Sequence, residues 1–112
     1  MTQSDPNTRV TIVTVAYNSA GVLADMLASI PAQTPVVIFD NASQDQAALR
    51  DVVAGLPHVR LVESGENLGF GVGCNKGAAY AKTEFVLFLN PDTILFADSL
   101  KKLVEAADQH PE

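Results

Sequence analysis

A chain of 112 residues with 47% hydrophobic content is long enough for one domain around a single core. Its formal net charge of −6 argues against a nucleic-acid partner, which calls for a basic face, and leaves any anionic ligand to backbone amides, a few local cations or a metal ion. The lone cysteine, Cys74, has no internal disulfide partner, which suits a reducing cytoplasm, and no stretch approaches the length of a transmembrane segment.

Residues 1–9 are polar, carry Pro6 and lack the apolar core of a signal peptide; a flexible leader is expected there, with the domain over 10–112. Val10–Ala16 is rich in β-branched residues and reads as a first strand. Asn18 or Ser19 then suits a helix cap, and Val22, Leu23, Met26, Leu27 and Ile30 share one helical face before Pro31. Val36–Phe39 reads as a second strand ending at Asp40-Asn41. Ser43 with Gln46 forms a capping-box pattern for a second helix, whose apolar face is Leu49, Val52 and Val53 and whose end is marked by Gly55 and Pro57.

A shorter strand, Val59–Val62, precedes the glycine-rich segment Glu66–Gly77. Cys74, Ala78 and Ala81 fall at helical spacing, so that segment turns from loop into helix around Phe70–Cys74. Phe85–Leu89 is an uninterrupted apolar run, the pattern of a strand buried on both faces, and Pro91 rules out its continuation within a sheet. The last helix begins near Ala97 or Asp98, carries Leu100, Leu103, Val104 and Ala107 on one face, and stops at His110-Pro111. Alternating strands and helices define an α/β fold, a parallel sheet with right-handed helical crossovers.

Polar residues follow several of these strands: Tyr17-Asn18 after the first, Asp40-Asn41 after the second and Asn90-Pro91-Asp92 after the fourth. Polar residues commonly end strands for local reasons. In a parallel sheet, however, these groups share the carboxyl edge, where open α/β folds bind ligands. The glycine-rich segment either brings backbone amides to an anion at a helix N-terminus or packs a helix closely on the sheet. Its spacing does not match the dinucleotide fingerprint, and there is no Gly-Lys-Ser/Thr phosphate loop. Cys74 lacks an activating neighbour and reads as a packed thiol; His58 and His110 read as solvated, and Lys76 as an ordinary surface lysine.

The stretches Thr14–Asn18, Phe39–Ser43, Glu66–Asn75 and Phe88–Thr93 occur in the order found in the family-2 glycosyltransferases. The chain resembles these inverting enzymes of the GT-A fold, in particular rhamnosyltransferase-like bacterial members of polysaccharide biosynthesis. The resemblance implies a truncated GT-A sheet, the nucleotide-sugar-binding part of a hexosyltransferase-type enzyme. It implies that Tyr17 lies against the nucleotide base, that Asp40 accepts hydrogen bonds from that base, that Asn67, Gly69, Phe70 and Asn75 line the nucleotide and diphosphate, and that Ala16, Asn18, Asn41 and Asn90 are nucleotide-binding as well. Asn90-Pro91-Asp92 stands where the family carries Asp-x-Asp, with Asn90 in place of the first aspartate and Asp92 left to direct a Mg²⁺ or Mn²⁺ ion. The implied partner is a dTDP- or UDP-linked sugar, in the cytoplasm or at the inner face of the membrane.

The sequence departs from the family in two ways: no basic residue precedes Lys76 in the glycine-rich segment, and no residue matches the acceptor-activating base. No catalytic residue is therefore assigned, and the chain by itself is expected not to transfer sugar, since general-base help is typically worth about 10²–10⁴-fold in rate. A non-catalytic nucleotide-binding module is the alternative the residues leave open. A receiver-like signalling domain needs acidic residues after the first strand, where Ala16-Tyr17-Asn18 stands. In the strand order 3-2-1-4 the apolar Phe85–Leu89 run is an edge, so a homodimer covering it is expected.

Overall fold

The computed structural model describes residues 5–109. After a short 3-10 turn, Pro6–Thr8, the chain runs β1 (Val10–Ala16), α1 (Ala20–Ala28), β2 (Val36–Asp40), α2 (Gln46–Val53), β3 (Val59–Glu63), α3 (Phe70–Ala78), β4 (Phe85–Phe88) and α4 (Ser99–Gln109). The strands form one sheet in the order β3-β2-β1-β4. Every pairing is parallel: Ala16 aligns with Asp40, Asp40 with Glu63, and Val13 with Phe88. All the strands therefore end at one edge, as their alternation with helices requires.

Both faces of β1 and β2 are covered, and every residue of these strands is buried. Val10, Ile12, Ala16, Val36 and Ile38 pack with Leu23, Met26 and Leu27 of α1, Leu49 of α2, and Leu100 and Val104 of α4. The opposite face carries α3. Its approach is close because Gly77 sits where a Cβ would come within 2.7 Å of Val13 Cγ1, and Gly73 where one would lie 3.0 Å from Val15 Cγ1. Of the two roles open to the glycine-rich segment, close packing is the one Gly73 and Gly77 perform.

β4 departs from the reading of Phe85–Leu89 as a strand buried on both faces. Its residues alternate between half-buried and exposed, with Val86 at 38% and Phe88 at 47% of their full exposure. Phe85 and Leu87 join the core under α4, but α3 packs over β1 and β2 and leaves the other face of β4 bare. The strand lies at the edge, as the order 3-2-1-4 requires. An apolar run shows that a strand tolerates burial; it does not show which helix covers it.

Other local differences have equally local causes. α2 begins at Gln46 behind Asp45 with no side-chain cap, because Ser43 is engaged at the end of β2 instead of forming a capping box. Ser19 occupies the N-cap of α1, yet its hydroxyl donates to Tyr17 O; the amide of Ala20 is received by Asp45 Oδ2 at 3.1 Å. Of the expected leader, residues 5–9 form a turn capped by Asp5, and Arg9 bonds both Glu84 and Asp108. His58, read as solvated, has its Nε2 shielded from solvent with no hydrogen-bond partner among the described residues. The helix stop at His110-Pro111 lies outside those residues.

Candidate functional site

The carboxyl edge gathers the ends of β1 and β2 and the entry to α3. Ala16 and Asp40 are paired across the strands, and Asn41 N donates to Ala16 O at 2.9 Å, which extends the ladder one step. Beyond that step the chain turns sharply. Asn18 has φ 52° and Ala42 φ 61°, left-handed conformations that are uncommon outside glycine and cluster at functional sites.

A hydrogen-bond relay holds the two turns together. Asn18 N donates to Ser43 Oγ at 2.9 Å, Ser43 Oγ donates to Asp40 Oδ1, and Ser43 N donates to the same oxygen at 3.1 Å. Asn18 Oδ1 in turn accepts from Gln44 N at 2.8 Å. Asp40 is wholly buried, with two donors on Oδ1 and, among the described residues, none on Oδ2. A buried carboxylate oxygen without a donor is costly, so this atom is an acceptor in want of a partner. Ser43 is the residue sequence reading missed: its Ser-x-x-Gln spacing signalled a helix cap, and only the β1–β2 pairing brings it to Asn18.

Asn41 faces the other side of the sheet. Its Nδ2 donates to Gly69 O and its Oδ1 accepts from Leu68 N, both at 3.0 Å. Asn67 Oδ1 accepts from Gly69 N at 2.9 Å, and Gly69 takes φ 84°, where a side chain is strained. Both residues of the Asn41–Asn67 pair thus shape the turn that starts α3. That helix has no side-chain cap, so the first-turn amides of Phe70, Gly71 and Val72 are left to solvent or ligand. Tyr17 and Phe70, at 49% and 62% exposure, present aromatic rings on these two turns.

The predicted residues separate on this geometry. Ala16, Tyr17, Asn18, Asp40, Asn41, Asn67, Gly69 and Phe70 belong to the edge just described. Asn75 lies on α3 five positions after Phe70, about 7.5 Å further along the helix axis, and is exposed. Lys76, next to it, is exposed as well. Asn90 and Asp92 follow β4 in a turn closed by Thr93 N donating to Asn90 O at 3.0 Å, and both are exposed. Cys74 is partly buried, and desolvation raises its thiol pKa above the ordinary value, which suits packing rather than nucleophilic attack.

A divalent cation is implied at Asp92. No cluster of three or more His, Cys, Asp or Glu suited to a metal occurs among the described residues. Asp92 is exposed and forms no ion pair among them. A single free carboxylate fits Mg²⁺, which is commonly held by one or two carboxylates together with substrate phosphates and water.

Such a parallel sheet, with polar groups and a helix N-terminus collected at its carboxyl edge, defines an α/β domain of the edge-binding type. Residues 11–112 match the model of Glycosyl transferase family 2, and the chain belongs to that family. It is 32% identical over 103 residues to the succinoglycan biosynthesis protein ExoO of Rhizobium meliloti (strain 1021), covering 88% of this chain and 30% of that protein. It is 31% identical over 118 residues to the N-acetylglucosaminyl-diphospho-decaprenol L-rhamnosyltransferase of Mycobacterium tuberculosis, covering 89% of this chain and 37% of that protein. The crystal structure of S. aureus TarS 1-349 superposes with a TM-score of 0.79 at 24% identity, over 93% of this chain and 33% of that one, a likeness of fold. The parallel GT-A-type sheet expected from the sequence is thus present, and the chain spans about a third of the length of these proteins.

Proposed function

We propose that this chain forms the donor side of a glycosyltransferase, binding a sugar linked to a nucleoside diphosphate for transfer to an acceptor hydroxyl. The observation that carries this reading is the unpartnered, buried Oδ2 of Asp40 beside exposed Tyr17 and next to the uncapped start of α3. The nucleoside base lies against Tyr17 and donates an N–H to Asp40. Since Asp40 is wholly buried, that contact requires the turns joined by Ser43 to yield. The diphosphate meets the amides of Phe70–Val72, where the helix dipole favours negative charge.

Asp92, with Asn90 beside it, directs Mg²⁺ or Mn²⁺ to the diphosphate. When bound, such a cation offsets the negative charge that the nucleoside diphosphate gains on leaving. In an acidic chain with Lys76 a turn and a half into α3, few other positive groups are at hand. The names of the two relatives support a role in bacterial polysaccharide biosynthesis; a dTDP- or UDP-sugar as donor and the cytoplasm as setting belong to the proposal. No helix among the described residues is long and apolar enough to cross a membrane.

Titration calorimetry with UDP, dTDP and GDP, each with Mn²⁺ and with EDTA, tests the reading. At least one nucleotide binds, more tightly with Mn²⁺, and Asp92→Asn removes the metal-dependent part. Equal affinity with Mn²⁺ and EDTA refutes the role of Asp92; failure of all three nucleotides to bind refutes the site.

A further inference from the structure

The hydroxyl of Ser43 carries an inference about which nucleobase the carboxyl edge accepts, and it rests on the nucleotide-binding reading above. Asp40 and Ser43 lie three residues apart in the turn that follows β2, and both are buried. Ser43 sends two donors to one carboxylate oxygen: its amide, at 3.1 Å, and its hydroxyl both reach Oδ1. A carboxylate oxygen offers two acceptor sites, so Oδ1 is filled. Oδ2 has no donor among the described residues. One neighbour therefore makes the two oxygens of Asp40 unequal. The bonds that do so join only Asn18, Asp40 and Ser43, and owe nothing to β4 or its edge.

We propose that Ser43 is a positioning residue that decides base selection. By holding Oδ1 it fixes Asp40 as an acceptor at Oδ2 alone, which selects a base whose ring nitrogen at the pairing edge carries a proton. Uracil, thymine and guanine have that N–H. Cytosine and adenine place an unprotonated ring nitrogen there, so that two lone pairs face each other and the buried acceptor stays unpaired. Their amino groups lie beside that nitrogen and meet Oδ2 only if the ring shifts. A base gains access when the turns part at the bond from Asn18 N to Ser43 Oγ, which measures 2.9 Å. Ser43 Oγ accepts in that bond and donates in the one to Asp40, so parting the turns leaves both bonds to Oδ1 in place.

The same orientation gives Asp40→Asn a specific outcome. Both Ser43 donors need an acceptor, so the side-chain oxygen of the variant takes the place of Oδ1. The amide nitrogen is left in the place of Oδ2 and presents an N–H to the base. Preference then passes to a base with an unprotonated ring nitrogen. A loss of charge or a damaged turn weakens all bases together and reverses nothing.

Titration calorimetry of the 112-residue chain with UDP and with CDP, each with Mn²⁺, isolates this contact. The two ligands share ribose, diphosphate and metal, so those contributions cancel in the ratio of affinities. The wild-type chain is expected to favour UDP by at least about fivefold. Ser43→Ala brings the ratio toward one, and Ser43→Thr, which keeps the hydroxyl, recovers it. Asp40→Asn turns the ratio in favour of CDP. Far-ultraviolet dichroism identifies variants that fold; if those at one of the two positions do not, the other position decides. Equal wild-type affinities for UDP and CDP overturn the inference while nucleotide binding stands. So does a Ser43→Ala chain that weakens both ligands at an unchanged ratio, or an Asp40→Asn chain that still favours UDP. Failure of both ligands to bind removes the nucleotide reading and this inference together.

Discussion

The side-chain amide of Asn41 spans the gap between the end of β2 and the start of α3, donating to Gly69 O at 3.0 Å while accepting from Leu68 N. Asn41 is buried, whereas Leu68 is half-buried and Gly69 exposed, so its two backbone partners keep some access to water. Asn41→Ala removes both bonds, at a net cost of about 0.5–1.5 kcal/mol for each. Urea unfolding followed by dichroism is expected to show a lower midpoint with an unchanged slope. Asn41→Asp places an acceptor against Gly69 O and is expected to be at least as damaging. A wild-type midpoint in both variants contradicts the bridging role.

The contact between α3 and the sheet yields a second prediction. A Cβ at Gly77 falls 2.7 Å from Val13 Cγ1, within the buried interface, and α3 must lift or Val13 must leave its rotamer. Gly77→Ala is expected to destabilise by about 1–3 kcal/mol, the usual cost of overpacking. Gly71, on the same helix, has nothing within 4 Å of the corresponding position. Gly71→Ala is therefore expected to be neutral or to stabilise by up to about 1 kcal/mol through helix propensity. Thermal melts of the two variants measured together check the contrast.

Acid should weaken the fold through specific ion pairs. Arg9 lies 2.6 Å from Asp108 and 2.8 Å from Glu84, and Arg50 lies 2.6 Å from Glu63. The hydrogen bond from Arg9 is the main cause of the lowered Asp108 pKa, and that from Arg50 the main cause of the lowered Glu63 pKa, with desolvation opposing each. A carboxyl pKa lowered by folding contributes stability above its unfolded value, 3.8 for Asp108 and 4.5 for Glu63, and loses it as pH falls through the lower folded value. The arginines remain charged throughout. Melting temperature is thus expected to decline below about pH 4.5, by an amount that added salt reduces because the pairs are exposed. Arg9→Gln is expected to flatten the decline; an unchanged pH profile in that variant removes the Arg9 pairs as its cause.

Much of the site was legible because parallel α/β topology fixes where strand ends go. Once Val10–Ala16 and Val36–Phe39 were read as parallel strands, Tyr17 and Asp40 had to share an edge. The chemistry of Ser43 was hidden because Ser-x-x-Gln spacing describes a cap within one segment, whereas its hydroxyl serves Asp40 and Asn18 across two. Likewise, nothing near Arg9 in sequence announces Glu84 and Asp108, its partners 75 and 99 positions away. Asn75 shares a motif with Gly69 and Phe70 in sequence, while the rise of the helix sets it about 7.5 Å further along the axis of α3.

By itself, the sequence determined the alternation of strands and helices, the strand ends that carry polar groups, and the stretches that mark the family. These follow from short-range periodicity and from residues whose backbone preferences are intrinsic. Only the tertiary structure decided which glycines serve packing, which oxygen of Asp40 lacks a donor, and which face of β4 stays bare. Those outcomes depend on where α3 and α4 settle against the sheet, and that is fixed by packing between residues far apart in the chain. Val86 and Phe88 are as apolar as the strand residues in the core; they are exposed because β4 lies at the edge and α3 covers β1 and β2 instead.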